Sequence, residues 1–413
     1  MHTIIGAGVS GLSSAQLLKE KGFETTVLEK SSKPGGLIKC DVVDGHLFHR
    51  VGGHVFNTKV EKVNDWFWNR FNKEQDFIAT KRNAGIFMQE QFLAYPLENS
   101  LYKFDEGTIR NIFNELIDLD QQASKEYHNF EDFLKGNFGN TLYQLYFKPY
   151  NHKIWKTDLS QVALPWLDGK LPMPNHREII MSNILRKEEG NMVHSSFFYP
   201  EKNGSQFIAD NLAKGLNIQY NQAVNTLQYN NNAWVINEAF NSEYIVYTGD
   251  IRLLHQMIKG VPSEIQEQLV AVSNLQSNGT SNLLCETDAS DHSWLYLPDE
   301  GIPAHRIIYT GNFSANNQPK DGRASCTVEF SGYTPVEEME KAIKKLPGNL
   351  KMIDYNYEAN SYVIQQQGDR EKINALKNSL AQYNIYLVGR FAEWEYHNMD
   401  KAIESSMHLA DQF

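Results

Sequence analysis

The chain opens on the apolar run Thr3-Ile4-Ile5 and passes at once into Gly6-Ala7-Gly8-Val9-Ser10-Gly11. Beyond the glycines, Leu12, Ala15, Leu17 and Leu18 recur at helical spacing as far as Glu20. A second apolar run, Thr25-Thr26-Val27-Leu28, ends on the acid Glu29. Strand, glycine turn, helix, strand and acid in that order predict a βαβ unit. Val60, Val63, Trp66, Phe67 and Phe71 predict an amphipathic helix over 59–72. Ala84 to Met88 and Phe92 to Tyr95 read as the two arms of a hairpin.

From about Leu101 to Asn183 the pattern is mostly helical, rich in aromatics and charges. Ala233 to Ile236 and Tyr244 to Tyr247 are short strands. The second leads through Thr248-Gly249-Asp250 into a helical stretch, a step that predicts a return to the nucleotide-binding sheet. Partial alternation in Ser293 to Leu297, Arg306 to Thr310 and Cys326 to Phe330 predicts an antiparallel sheet across 280–365. The chain closes on Ile385-Tyr386-Leu387-Val388, then Gly389-Arg390, then Asn398-Met399-Asp400 at the head of a terminal helix.

Both ends therefore fall in one nucleotide fold. The expected class is α/β: a discontinuous Rossmann-like FAD-binding domain with a helical insertion domain and an antiparallel β-sheet domain. The first comprises 1–80, 195–258 and 378–413. Residues 98–194 form the helical nucleotide and substrate domain, and 81–97 with 259–377 the sheet domain.

Composition narrows the class of function. A chain of 413 residues with 41% apolar and 22% charged side chains can bury a large core. The net charge of −11 argues against broad binding to nucleic acid or an anionic membrane. An anionic substrate would then need a local cluster of Arg or Lys. Cys40, Cys285 and Cys326 are scattered, without metal-ligand spacing or a disulfide framework, so no metal site is expected. With no secretory leader and no membrane span in the sequence, a reducing, cytoplasmic setting is expected.

Gly6, Gly8 and Gly11 permit a tight turn, close backbone approach to a pyrophosphate, and close helix–strand packing, with Ser10 inside the same turn. The following helix N-terminus offers free N–H groups to that phosphate. Glu29, 18 residues beyond Gly11, is placed to accept hydrogen bonds from ribose hydroxyls. Gly35-Gly36 just after the acid favours FAD over NAD, because a second glycine turn reaches back to the pyrophosphate. Arg390, Asn398 and Met399 belong to a C-terminal strand–helix step of the kind that brings another helix N-terminus to the flavin end.

The blocks Val51-Gly52-Gly53-His54-Val55-Phe56, Tyr95-Pro96-Leu97, Pro149 to Trp155, His305-Arg306-Ile307-Ile308 and Gly389 through Asp400, in that order, resemble the UDP-galactopyranose mutase family, nearer its eukaryotic type. Val51-Gly52-Gly53-His54-Val55-Phe56 is similar to the family's histidine loop. Tyr95-Pro96-Leu97 resembles a Tyr-Pro-Phe block. Pro149-Tyr150-Asn151-His152-Lys153-Ile154-Trp155 matches the form Pro-Tyr-Asn-x-Lys-x-Trp. His305-Arg306-Ile307-Ile308 with Asn312-Phe313-Ser314 resembles the stretch that carries a diphosphate-binding arginine, and Gly389 through Asp400 the closing Gly-Arg-x-x-x-aromatic-x-Tyr signature. Together the blocks cover most of the chain in the family's order.

The resemblance implies a flavin that acts as a nucleophile. Reduced N5 attacks the anomeric carbon of a nucleotide sugar, displaces the diphosphate and forms a flavin–sugar adduct; the ring opens and recloses through another hydroxyl. The expected reaction interconverts UDP-galactopyranose and UDP-galactofuranose. It implies roles for Arg306, Tyr362 and Tyr396 at the diphosphate, for Tyr95, Glu98, Tyr146, Tyr150, Asn151 and Trp155 in the nucleotide wall, and for Gly53 and His54 beside the flavin. NAD(P)H or another reductant is the expected additional partner, and the oligomeric state stays open between monomer and homo-oligomer.

Two positions depart from the pattern. Where the family has a second, mobile-loop arginine, Trp166-Leu167-Asp168-Gly169-Lys170 offers Lys170, a point charge without the planar fork, with Arg177 as a substitute. Glu98 stands where a glutamine follows the Tyr-Pro pair in the family, and an ionised glutamate only accepts. The sugar and the base therefore stay open. The rival expectation is an FAD-dependent oxidoreductase of the amine oxidase or protoporphyrinogen oxidase type, which shares the fingerprint. A non-enzymatic flavin-binding protein is the third.

Overall fold

The computed structural model describes residues 2–122, 126–164, 167, 175–186 and 196–413. The elements that frame the site are β1 (His2–Ile5), α1 (Val9–Glu20), β2 (Thr25–Leu28), β3 (Ala84–Met88), β4 (Gln91–Ala94), α2 (Lys148–Trp155), β5 (Asn217–Gln219), β6 (Tyr244–Tyr247), β7 (Ser277–Thr287), β8 (Trp294–Tyr296), β9 (Ala304–Ile308), β10 (Ala324–Ser331), β11 (Lys351–Val363), β12 (Ile385–Leu387) and α3 (Met399–Ala410).

Five strands form a parallel sheet in the order β12-β6-β1-β2-β5. Its strands come from both ends and the middle of the chain, as the sequence pattern predicts. Successive residues point to opposite faces. Ile4, Val27 and Val246 face Leu12, Ala15 and Ile403 of α1 and α3, while Ile5, Leu28, Ile245 and Tyr247 face Leu269 and Leu376 on the helices Ser263–Val272 and Asp369–Ala381. Helices on both faces explain why these strands read as unbroken apolar runs.

A seven-stranded sheet, in the order β11-β7-β10-β9-β8-β3-β4, forms the other main layer. Its neighbours are antiparallel with one exception. The β3 strand runs parallel to β8, pairing Ala84 with Trp294 and Ile86 with Tyr296. The sheet is thus mixed rather than purely antiparallel. A long crossover separates residues 88 and 294, so no hairpin fixes the direction of that pair.

The helix expected over 59–72 is shorter, Glu61–Trp68, and the second arm of the hairpin is Gln91–Ala94. The aromatic-rich helical stretch packs Phe130, Phe138, Tyr143 and Phe147 into one core with Ile86 and Leu93 of β3 and β4 and with Tyr362 of β11. That shared core packs the helices directly against the sheet. Among the described residues no helix is long and apolar enough to cross a membrane.

Candidate functional site

At the first βα turn the chain forms a cradle of missing side chains. Gly8 caps α1 in extended conformation, with no side-chain cap bond and no acid in the first turn. The first N–H groups of the helix stay available to an anion. A Cβ on Gly11 would lie 1.9 Å from the Gly6 carbonyl oxygen, and one on Gly36 would lie 3.1 Å from Gly8 Cα. The Gly35 N–H donates to the Ala7 carbonyl at 2.8 Å and brings the second turn over the first.

Glu29, 5% exposed, accepts from the Ala7 N–H at 2.7 Å and the Ser31 N–H at 2.9 Å. Each carboxylate oxygen keeps a lone pair for a ribose hydroxyl. Gly389 presses on Ser10, where a Cβ would meet Ser10 Oγ at 2.3 Å, and Ser406 of α3 donates to the Ser10 carbonyl at 3.0 Å. Glycine contacts, a bare helix end and a buried acid fit the pyrophosphate and ribose of a dinucleotide.

On the mixed sheet, residues directly opposite across neighbouring strands form one transverse polar row. Tyr296 of β8 faces Arg306 of β9, Arg306 faces Glu329 of β10, Glu329 faces Asn282 of β7, and Asn282 faces Asn356 of β11. Opposed residues share a sheet face. A β-bulge at His305 breaks the alternation of β9. It lets two consecutive side chains reach one carboxylate: His305 Nε2 lies 3.0 Å from Glu329 Oε2, and Arg306 Nε donates to the same oxygen.

Glu329 is 1% exposed. Burial alone would raise its carboxyl, but the Arg306 charge and the His305 bond outweigh it and hold Glu329 well below the usual range. Burial likewise opposes charge on Arg306, and Glu329 overrides it, keeping the guanidinium ionised. Arg306 Nη2 donates to the Tyr362 hydroxyl at 3.3 Å. These bonds use Nε and Nη2 and leave the Nη1 edge for an anion.

The Gly52-Gly53-His54 loop closes over this row. Gly52 has φ +59°, and a Cβ there would lie 3.6 Å from both Arg306 Nη2 and His54 Nε2. A Cβ on Gly53 would meet Ile308 Cγ2 at 2.7 Å. Asn356 donates to the Arg50 carbonyl at 2.8 Å, and Arg50 pairs with Asp41 and Asp354, so the loop is tethered at its base. His54 Nε2 is buried without a hydrogen-bond partner among the described residues. Burial, reinforced by Arg390, lowers His54 to about 4. The ring is neutral near neutral pH.

The facing wall is aromatic. Tyr146 and Tyr150 stack with ring centres 5.9 Å apart and 3° between planes. Tyr150 meets Tyr296 edge-on at 5.7 Å, and Tyr95 meets Tyr296 at 4.9 Å. Tyr362 stacks on Tyr396 at 5.8 Å, and both rings contact buried Trp155. Burial pushes the Tyr146, Tyr150 and Tyr362 phenols well up, so they serve as neutral donors. Buried Glu98 stands close enough to Tyr146 to act on it electrostatically.

Some expected residues have other partners. Arg390 donates to the carbonyls of His397 and Ser361, a tie between the Tyr396 loop and β11. Asn398 occupies the N-cap of α3, yet its side chain makes no capping bond, and Met399 begins the helix. Asn151 turns its amide N–H to the Phe147 carbonyl at 2.8 Å. Arg177, expected as a substitute cation, is instead an exposed surface residue paired with Asp120 at 2.7 Å, which corrects that expectation. Its side chain is exposed to solvent. Lys170 lies outside the described residues.

Sequence reasoning passed over Tyr296, Glu329, Asn282 and Arg82. Arg82 donates to the Tyr296 hydroxyl and lies 5.4 Å from the Tyr95 ring centre and 5.3 Å from that of Trp294. No carboxylate pairs with it among the described residues. Glu329 did leave a signal, an acid inside the apolar run Cys326 to Phe330. Arg82 follows Lys81, and two adjacent cations carry no pattern that separates a buried one from a solvated one.

Comparison with known proteins gives a consistent picture. Residues 4–71 match the family model of NAD(P)-binding Rossmann-like domains. The chain is 21% identical to the UDP-galactopyranose mutase of Mycoplasma pneumoniae, over 99% of this chain and 95% of that one. A crystal structure of reduced UDP-galactopyranose mutase superposes with TM-score 0.89 at 20% identity, over 100% of this chain and 93% of the other. A protein from Exiguobacterium assigned as a protoporphyrinogen oxidase superposes less closely, with TM-score 0.76 at 13% identity over 100% and 98%.

Proposed function

We propose that this chain, similar from end to end to UDP-galactopyranose mutases, is an FAD-dependent mutase that interconverts the pyranose and furanose forms of a nucleotide sugar, with UDP-galactose as the substrate. The single observation that carries the reading is the Arg306–Glu329–His305 cluster. It orients the partly exposed Arg306 guanidinium, with its Nη1 edge open, directly beside the Gly52-Gly53-His54 loop. An amine substrate would meet that charge unfavourably; a diphosphate would be drawn to it.

FAD fits the cradle of Gly6, Gly8, Gly11, Gly35, Gly36 and Glu29. In its reduced form it would supply a nucleophile at N5 for an anomeric carbon. The chain's own residues do the rest. Arg306 donates to the diphosphate as charge accumulates on the departing oxygen, and the hydroxyls of Tyr362 and Tyr396 add donors without adding positive charge. Lys170 is the expected second cation. Neutral His54 keeps Nε2 free for one hydrogen bond at the flavin edge. Tyr95, Tyr146, Tyr150, Asn151 and Trp155 provide the nucleotide wall, and Glu98 accepts from a donor on the base. Arg390 acts by holding Tyr396 in place. NAD(P)H or another reductant would supply the two electrons that the bound flavin needs to start reduced.

The test is incubation of the FAD-loaded protein with UDP-galactofuranose, with and without dithionite, followed by chromatography of the products. Conversion to the pyranose only under reduction supports the mutase. No conversion, together with peroxide formed from an amine or a porphyrinogen, would establish the oxidoreductase instead.

A further inference from the structure

The C-terminal turn of α2 carries a lysine that the proposed reaction does not use. Lys153 Nζ donates to the carbonyls of Leu297 at 2.6 Å, Asp299 at 2.8 Å and Ala304 at 3.2 Å. An ammonium has three hydrogens, and here each finds a main-chain acceptor. Leu297 and Asp299 lie in the turn that joins β8 to β9, and Ala304 is the first residue of β9. That turn closes directly behind the pair formed by Tyr296 and Arg306, and the Leu297 N–H donates to the His305 carbonyl at 3.0 Å. One helical turn before Lys153, Tyr150 sets its ring against Tyr296. The end of α2 is fastened separately to β7 and β10, because Asn278 and Ser331 both donate to the Ile154 carbonyl at 2.7 Å.

We propose that Lys153 is a positioning residue, which clamps the β8–β9 turn to α2 and so fixes the separation between the Tyr150 wall and the Tyr296–Arg306 pair. This inference rests on the reading of the cleft as a nucleotide-sugar site. An uncharged side chain of similar length would fill the space but remove the one donor that ties all three carbonyls together; the Asp299 carbonyl would keep only the Ile302 N–H, which lies within the turn itself.

Burial lowers Lys153 to about 8, against the pull of Asp299 and Glu300. The groups that face it are those two acids on the turn and His305 on β9, which burial keeps below its usual value. Above about pH 8 the clamp loses one donor and gains a lone pair that faces a carbonyl. The unfolded chain keeps this proton to about pH 10, so between the two values the lysine's contribution to global stability rises with pH. Weaker ligand binding in that window would therefore reflect the clamp and not a weakening of the fold by this group.

The test uses the full-length, FAD-loaded protein, its Lys153→Met and Lys153→Arg variants, and UDP as the probe. Amide hydrogen exchange across 297–304 reads the clamp without any ligand, and titration with UDP reads its consequence. Lys153→Met is expected to speed exchange in that segment and to weaken UDP by about tenfold to a hundredfold, the scale of a misplaced positioning group. Lys153→Arg should recover much of both. Wild-type affinity for UDP should fall from about pH 7 to about pH 9.5, and the arginine variant should stay flat, because its charge persists.

Unchanged exchange in Lys153→Met, or faster exchange with wild-type UDP affinity, would overturn the proposal. So would a pH dependence that the arginine variant fails to remove. If Lys153→Met does not fold, the wild-type and arginine pH profiles decide alone. Wild-type protein that binds no UDP at any pH would defeat the nucleotide reading instead, and the exchange data would still decide whether the clamp exists.

Discussion

The cradle at the start of α1 and the polar row across the mixed sheet are built on opposite principles. The cradle works through atoms that are absent: glycines without Cβ, a helix end without a cap, and backbone N–H groups left open. The row works through charge that is present and buried, held by a carboxylate 1% exposed between Arg306 and His305. A site of the first kind fails when something is added. One of the second kind fails when something is removed, because the partner left behind is a buried, uncompensated charge.

The largest effect expected from that contrast is in Glu329→Ala. Stripping the acid leaves Arg306 and His305 without their anion in a largely buried row of neutral polar groups, a loss of about 3–5 kcal/mol, measurable by chemical denaturation. The sign with pH follows from the lowered carboxyl of Glu329. Its contribution is fully present above the unfolded carboxylate value of about 4.3 and drains away as pH falls towards the folded one. The acid slope of stability should therefore be shallower in the variant. An equal slope would mean that Glu329 is not the ionised partner.

Gly11→Ala tests the other half. The added methyl would overlap the Gly6 carbonyl, which lies 1.9 Å from the ideal Cβ position. The expected cost is about 1–3 kcal/mol, accompanied by loss of bound flavin. Absorbance of the purified variant reads the flavin; full flavin content would show that the cradle tolerates addition and would break the comparison. The smallest effect is expected for Tyr362→Phe, which removes one hydroxyl from Arg306 Nη2. UDP affinity and stability should each shift by about 0.5–1.5 kcal/mol, as for a single lost hydrogen bond. A loss as large as that of Glu329→Ala would mean that the tyrosine, and not the acid, organises the row.

The same contrast explains what was legible in the sequence. The cradle is local: Gly6 to Gly11, Glu29 and Gly35-Gly36 fall within a few dozen residues, and their spacing alone predicts the βαβ unit that the structure contains. The parallel order of β1, β2 and β6 follows from apolar runs that read as strands covered on both faces. The row is non-local. Tyr296, Arg306, Glu329, Asn282 and Asn356 lie on five strands, and only strand register brings them into line. Arg306 was reached through a family resemblance. No periodicity in the sequence announces the bulge that turns His305 towards Glu329, nor the parallel pairing of β3 with β8. Arg177 has the right chemistry for a phosphate, but its side chain is exposed and paired with Asp120, which no spacing in the sequence announces.

The central claim is that the flavin starts and ends each turnover reduced, so that the reaction consumes no electrons. The most direct measurement is anaerobic: protein reduced once with dithionite, freed of excess reductant, and given UDP-galactofuranose in large molar excess while flavin absorbance and product are followed together. The account predicts many turnovers per flavin, with the flavin still bleached at the end. Product limited to one equivalent per flavin, with the oxidised spectrum returning in step, would contradict it.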